Sequence, residues 1–243
     1  MRNCLLSFTF FILSLSPPAL ATVRVIHATQ ATWPPYVFDN RNSGLAVDIV
    51  QAAYSAQNYH VELEVKPWLR ALKEVNKKQK DVLIALWWSD SRTGLLAYSV
   101  PYLMVHLKFI VLKENAFNYS DFSSLTGMKI GVIEDHGYGS KFNQSTYFDR
   151  LVEPDLETNI RKLKAKRIDA ILADERAFNY TIRKLGLKNN DFHFVHRSLM
   201  IKPIHLAISE NHPNKDKLLV QFMIGLHTIK ENGMYDRLLE KYR

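Results

Sequence analysis

Arg92 closes a short polar turn, Ser89-Asp90-Ser91-Arg92, that follows an apolar run over residues 82–86. A guanidinium donates two parallel hydrogen bonds to one carboxylate, so an arginine fixed there could hold an acid. Taken alone, Arg92 reads as a solvated surface residue, and only its surroundings can reverse that reading. Asp174 ends a second apolar run directly before Glu175, where its type suits a helix N-cap. Trp33, Trp87 and Trp88 offer flat apolar faces. Trp87 and Trp88 leave the first apolar run side by side, and strand alternation would let only one of them face a given side. Core packing is the competing reading for both. The loop Glu134-Asp135-His136-Gly137-Tyr138 carries two carboxylates and an imidazole that can titrate near neutral pH. As a loop residue, His136 reads first as an uninvolved surface histidine. His193 and His196 would fall on opposite faces of a strand and make a poor metal pair. The chain contains no H-E-x-x-H, phosphate-cradling loop or nucleophile elbow. No metal, cofactor or catalytic residue is therefore expected.

The bulk properties place the chain outside the cytoplasm. Arg2, an apolar run over 5–15, Pro17-Pro18 and Ala19-Leu20-Ala21 together read as a secretory signal peptide cut after Ala21. The apolar run is too short to span a bilayer. The single cysteine, Cys4, lies inside this segment, so the mature chain has no thiol or disulfide. An exported protein without disulfides depends on its core, and 222 residues can bury one. Without Arg2, 31 basic residues face 24 acidic ones, a formal charge of +7. The basic residues are scattered over polar helix faces, and nucleic acid is not an expected partner. No second apolar stretch approaches membrane length.

The elements that must position these residues follow from periodicity. Strands are expected over 23–29, 60–65, 82–86, 129–133, 170–173 and 206–209, and helices over 45–57, 68–78, 140–148, 156–166, 175–185, 216–231 and 233–243. Leu69, Leu72 and Val75 would form the apolar face of the second helix. Residues 32–36, with two prolines, form an irregular turn. Strands alternating with helices argue an α/β class.

Several segments in order resemble one family, the bacterial extracellular solute-binding proteins of family 3, the amino-acid-binding components of ABC importers. The segments are Trp33-Pro-Pro-Tyr36-Val-Phe38, Gly44-Leu-Ala-Val-Asp48-Ile, Trp68-Leu-Arg-Ala-Leu, the strand-turn-Arg92 run followed by Ser99-Val-Pro-Tyr102, Lys129-Ile-Gly-Val-Ile133, Arg167-Ile-Asp-Ala-Ile-Leu-Ala-Asp174, and Gly233-Met-Tyr-Asp-Arg-Leu-Leu-Glu-Lys-Tyr. The resemblance covers nearly the whole mature chain.

It implies a two-lobed, periplasmic-binding-protein-like α/β fold of type II. Its sheets would be mostly parallel, with helices on both faces and a ligand cleft between the lobes. Lobe 1 would comprise residues 22–103 with 204–243, lobe 2 residues 104–203, and the chain would cross near 103–105 and 201–204. By the same resemblance Arg92 would grip a ligand carboxylate, Asp174 an α-amino group, and Trp33 would stack on the ligand side chain. Trp87, Ser89, Asp135, His136 and Tyr138 complete the expected ligand-binding set. Two departures stand out: Trp87 and Trp88 replace small residues, and Asp135 replaces a glycine. A carboxylate at 135 would favour a basic ligand side chain. The implied function is capture of a small zwitterion in the periplasm by a monomer and delivery to the membrane permease of an ABC importer. A periplasmic dehydratase on the same fold, or a detached ligand-sensing module, are the alternatives.

Overall fold

The structure, a computed structural model, describes residues 23–39, 43–115, 117–134 and 136–242. The expected signal peptide, Cys4 and Asp135 lie outside the described residues.

β1 (Arg24–Gln30) pairs in parallel with β2 (Tyr59–Val65) and β3 (Val82–Leu86), and α1 (Leu45–Ser55) and α2 (Trp68–Asn76) carry the crossovers. β3 is buried along its whole length. Its residues divide between two cores, Leu83 and Leu86 packing with Ala71, Val75 and Ala207, and Val82, Ile84 and Ala85 with the large central cluster. On α2 the inward stripe is Trp68, Ala71, Leu72 and Val75, the i, i+3, i+4, i+7 pattern. Leu69 sits one position off that stripe and is 70% exposed, which corrects its expected place on the apolar face.

After a 3-10 turn at Asp90–Arg92 come β4 (Leu96–Tyr98) and the ten-residue β5 (Leu103–Leu112). The second lobe follows with β6 (Lys129–Ile133), α3 (Ser140–Gln144), β7 (Asp149–Glu153), α4 (Leu156–Lys164), β8 (Ala170–Asp174), α5 (Glu175–Lys184) and β9 (Phe192–Phe194). β10 (Met200–Ser209) leads back to the closing helices α6 (Lys215–Glu231) and α7 (Met234–Lys241). Among the described residues, no helix is long and apolar enough to cross a membrane.

The lobes are joined by a ladder. β5 and β10 run antiparallel, with Leu103 opposite Ile204 and Leu107 opposite Met200. The far half of β10 pairs with β3, and the far half of β5 with β8. Each lobe's own strands pair in parallel (β1 with β2 and β3, β6 with β7 and β8), while the pairings of β5 and β10 are antiparallel. The sheet is thus mixed rather than mostly parallel. A chain that crosses between lobes and returns beside itself must run both ways.

Helix α6 closes on α1 through Gly225: a Cβ there would lie 1.9 Å from the Ala53 carbonyl oxygen. Behind it, the Tyr54 hydroxyl donates to the Leu218 carbonyl at 3.2 Å.

Candidate ligand site

The loop before α1 is built by backbone. Trp33 and Val37 exchange N–H···O bonds of 2.9 Å around the cis Pro34-Pro35 peptide. The carbonyls of Pro35 and Tyr36 then accept from Leu45 and Ala46 at 2.9 and 3.1 Å. These are the N–H groups that the first turn of α1 cannot satisfy itself. Gly44, with φ 138°, makes the close approach possible. The result turns the half-buried Trp33 to one side and seals Tyr36 in the core.

Between the lobes lies a cavity of about 340 Å3. All four tryptophans of the chain, Trp33, Trp68, Trp87 and Trp88, line it, together with Arg92, Glu134 and His136. Trp68 opens α2 and lies beneath Arg92, whose guanidinium carbon is 4.9 Å from the indole centroid. Arg92 also donates through Nη1 to the Trp87 carbonyl at 3.1 Å. The guanidinium is thereby held over the indole by a cation–π contact and one hydrogen bond. Among the described residues neither Arg92 nor Glu134 forms an ion pair. The floor is pinned by Gln30, whose buried amide donates to the Ala85 carbonyl at 2.8 Å and accepts from the Ala85 N–H at 3.1 Å. Both Trp87, 7% exposed, and Trp88, 49% exposed, reach the cavity. The expected either-or fails because β3 ends at Leu86, so strand alternation no longer governs the two indoles.

Asp174 lies elsewhere. It is 5% exposed, and one oxygen, Oδ2, accepts from the Tyr36 hydroxyl at 2.6 Å and from the Ala177 N–H at 3.0 Å, capping α5. Asp174 does not line that cavity and borders a separate void of about 20 Å3. Trp33, Trp87 and His136 line both spaces and stand between them, with the Trp33 and Trp87 rings edge-on at 5.4 Å and the Trp87 and His136 rings likewise at 5.4 Å. Burial raises the Asp174 pKa above the ordinary aspartate value of 3.8, against the opposing pull of the Tyr36 and Ala177 hydrogen bonds and of Arg176. Burial, and then Asp174, drive the Tyr36 hydroxyl well above its own usual range.

This yields a signed pH dependence. A carboxyl whose folded pKa lies above its unfolded one binds its proton more tightly in the folded state. Its contribution to stability is fullest below the ordinary value and is lost as pH rises through the raised one. The melting temperature of wild type relative to Asp174→Asn is therefore expected to climb as pH falls toward 4, read by calorimetry across the acid range. A difference that shrinks on acidification would mean the surroundings favour the charged form.

Of the expected residues, Trp33, Trp87, Arg92 and His136 line the cavity, and Asp174 and Tyr138 line the small void. Tyr138 is buried, its hydroxyl accepting from the Ile133 N–H at 2.9 Å. Ser89 borders neither space and shares a 2.9 Å hydrogen bond with Ser91. Trp68, Glu134 and Tyr36 were not anticipated. The one available signal was that tryptophan is scarce in this chain and stands at element ends. Among the described residues no group of three or more His, Cys, Asp or Glu side chains could hold a metal ion.

Two α/β lobes joined by a pair of strands, with a lined cavity between them, define a binding protein of the periplasmic type. The model of the bacterial extracellular solute-binding proteins, family 3, matches residues 25–243, and the chain belongs to that family. An arginine-binding periplasmic protein of Mannheimia haemolytica is 24% identical over 237 residues, covering 91% of this chain and 92% of its own. A probable histidine-binding protein of Neisseria gonorrhoeae is 22% identical over 223 residues, covering 88% and 81%. Among solved structures, a histidine kinase sensor domain with similarity to periplasmic binding proteins superposes with a TM-score of 0.75 at 21% identity, over 90% of this chain and 96% of that one.

Proposed function

We propose that this protein captures a small carboxylate-bearing solute, an amino acid or a close relative, in the periplasm and hands it to the permease of an ABC importer. The observation that carries the reading is Arg92 held over the Trp68 ring in a cavity lined by every tryptophan of the chain. A guanidinium with no ion pair among the described residues is a receptor for a carboxylate, and indole faces suit a flat or cationic body. The relatives named for arginine and histidine binding, and Glu134 on the cavity wall, favour a basic ligand. Lobe 1 is taken as residues 22–103 with 204–243 and lobe 2 as 104–203, with the hinge in the paired stretch of β5 and β10. A ligand touching both lobes stabilises the closed arrangement. The work is binding and closure, not bond breaking.

The test is intrinsic tryptophan fluorescence with thermal shift against basic, neutral and acidic amino acids and cyclic carboxylic acids. A basic amino acid at 100 times its Kd is expected to add about 2.7 kcal/mol of stability, with a fluorescence change because all four indoles line the site. Response to no amino acid, with consumption of a cyclic acid, would replace the reading with the dehydratase alternative.

A further inference from the structure

We infer that Tyr36 takes the place of a ligand amine on Asp174, so that this site selects its ligand by the carboxylate and the body, and an α-amine is not required. The inference rests on the proposed function and narrows its ligand class to carboxylic acids with a flat or cationic body, aminated or not.

The geometry points this way from several sides. Tyr36 is fully buried in lobe 1, yet its hydroxyl reaches across to Asp174 Oδ2 at 2.6 Å. The Ala177 N–H takes the same oxygen. An ammonium donating to Asp174 would have to displace the hydroxyl or enter the 20 Å3 void, which has room for about one water molecule. An α-amine does not arrive alone; it brings its carbon skeleton and, two bonds away, the carboxylate that must meet Arg92. Arg92 borders the large cavity and Asp174 does not. Trp33, Trp87 and His136 line both spaces, so an ammonium that passes between them meets an Asp174 oxygen already taken by the Tyr36 hydroxyl. Burial also pulls the Asp174 carboxyl toward its neutral form, the reverse of what a receptor for a cation needs. A cationic group on the ligand body has Glu134 and the indole faces instead.

The experiment is calorimetric titration of wild type and Tyr36→Phe with matched pairs: L-arginine and δ-guanidinovalerate, L-histidine and imidazolepropionate, L-tryptophan and indolepropionate. In the pairs that bind, wild type is expected to hold both members within about three-fold. Tyr36→Phe, which keeps the ring and removes the hydroxyl from Oδ2 while the Ala177 N–H stays on it, is expected to develop a preference of about ten-fold or more for the aminated member, the scale of one charged hydrogen bond. A wild-type preference of that size, or an unmoved ratio in Tyr36→Phe, overturns the inference while leaving the proposed function standing. Binding of no pair overturns the inference, whose ligand class these pairs represent, and leaves the proposed function to be decided by the wider amino-acid screen. If Tyr36→Phe does not fold, Asp174→Ala reads the same ratio: equal losses for both members support the inference, and a loss confined to the aminated member overturns it.

Discussion

Arg92→Ala will lower ligand affinity by about thirty-fold to several thousand-fold, the 2–5 kcal/mol that follows from stripping one partner out of a desolvated charge pair. The size of the effect comes from how the side chain is held. Its guanidinium sits over the Trp68 ring and one Nη1 hydrogen bond is spent on the Trp87 carbonyl, so the fork is restrained before a ligand arrives. Little rotamer entropy is then left to lose on binding. The fold should survive. A half-exposed cation–π contact is worth about 0.5–1 kcal/mol and one hydrogen bond about 1 kcal/mol. Arg92→Lys separates charge from shape: a lysine keeps the charge, but not the planar fork or the stacking, and should recover only part of the loss. Calorimetry placing Arg92→Ala within three-fold of wild type would remove Arg92 from the site.

Much of the scaffold was legible because its signals are local. Val82–Leu86 is a continuous apolar run and Lys129–Ile133 a short β-rich one, and both strands lie where periodicity puts them. Glu175–Lys184 begins after an aspartate that does cap it, through the Ala177 N–H. The long strands Leu103–Leu112 and Met200–Ser209 were harder to read. Their burial changes along the length as they pass from one lobe's sheet to the other's, so neither a pure alternation nor a pure apolar run appears. Asp149–Glu153 is mostly polar and half-exposed at the sheet edge, and its residues gave no strand signal.

The site was legible in part. Arg92 and Trp33 could be picked out, because a turn arginine and a proline-flanked indole carry a family pattern. Trp68 could not, since its role depends on the start of α2 falling beneath a turn 24 residues later in the chain. Nor could the pairing of Tyr36 with Asp174, which joins residues 138 apart. The cap at Asp174 is local chemistry; what else its carboxylate meets is decided by how the lobes face each other.

Gly44→Ala is expected to destabilise the protein by about 3 kcal/mol, from strain of about 1–3 kcal/mol in a rarely allowed backbone region and hydrogen bonds of about 1 kcal/mol each. With φ at 138°, a side chain is disfavoured before any neighbour is considered. The new Cβ would lie 2.3 Å from the Tyr36 carbonyl oxygen, 2.6 Å from its carbon and 2.8 Å from the Val37 nitrogen. All three are backbone atoms, so no side chain can swing aside. The loop must lift from α1, and the bonds from Leu45 to Pro35 and from Ala46 to Tyr36 go with it. Melting should fall by about 6–12 °C for a chain of this size. Because the lifted loop carries both Trp33 and Tyr36, ligand affinity should fall with stability, although residue 44 does not line the cavity. Trp33→Ala supplies the contrast, since its indole is only half-buried: affinity should drop with a much smaller change in melting. If Gly44→Ala melts within about 2 °C of wild type, the loop can relax off the helix without cost, and the backbone clasp between Tyr36 and α1 is not what holds Trp33 against the cavity.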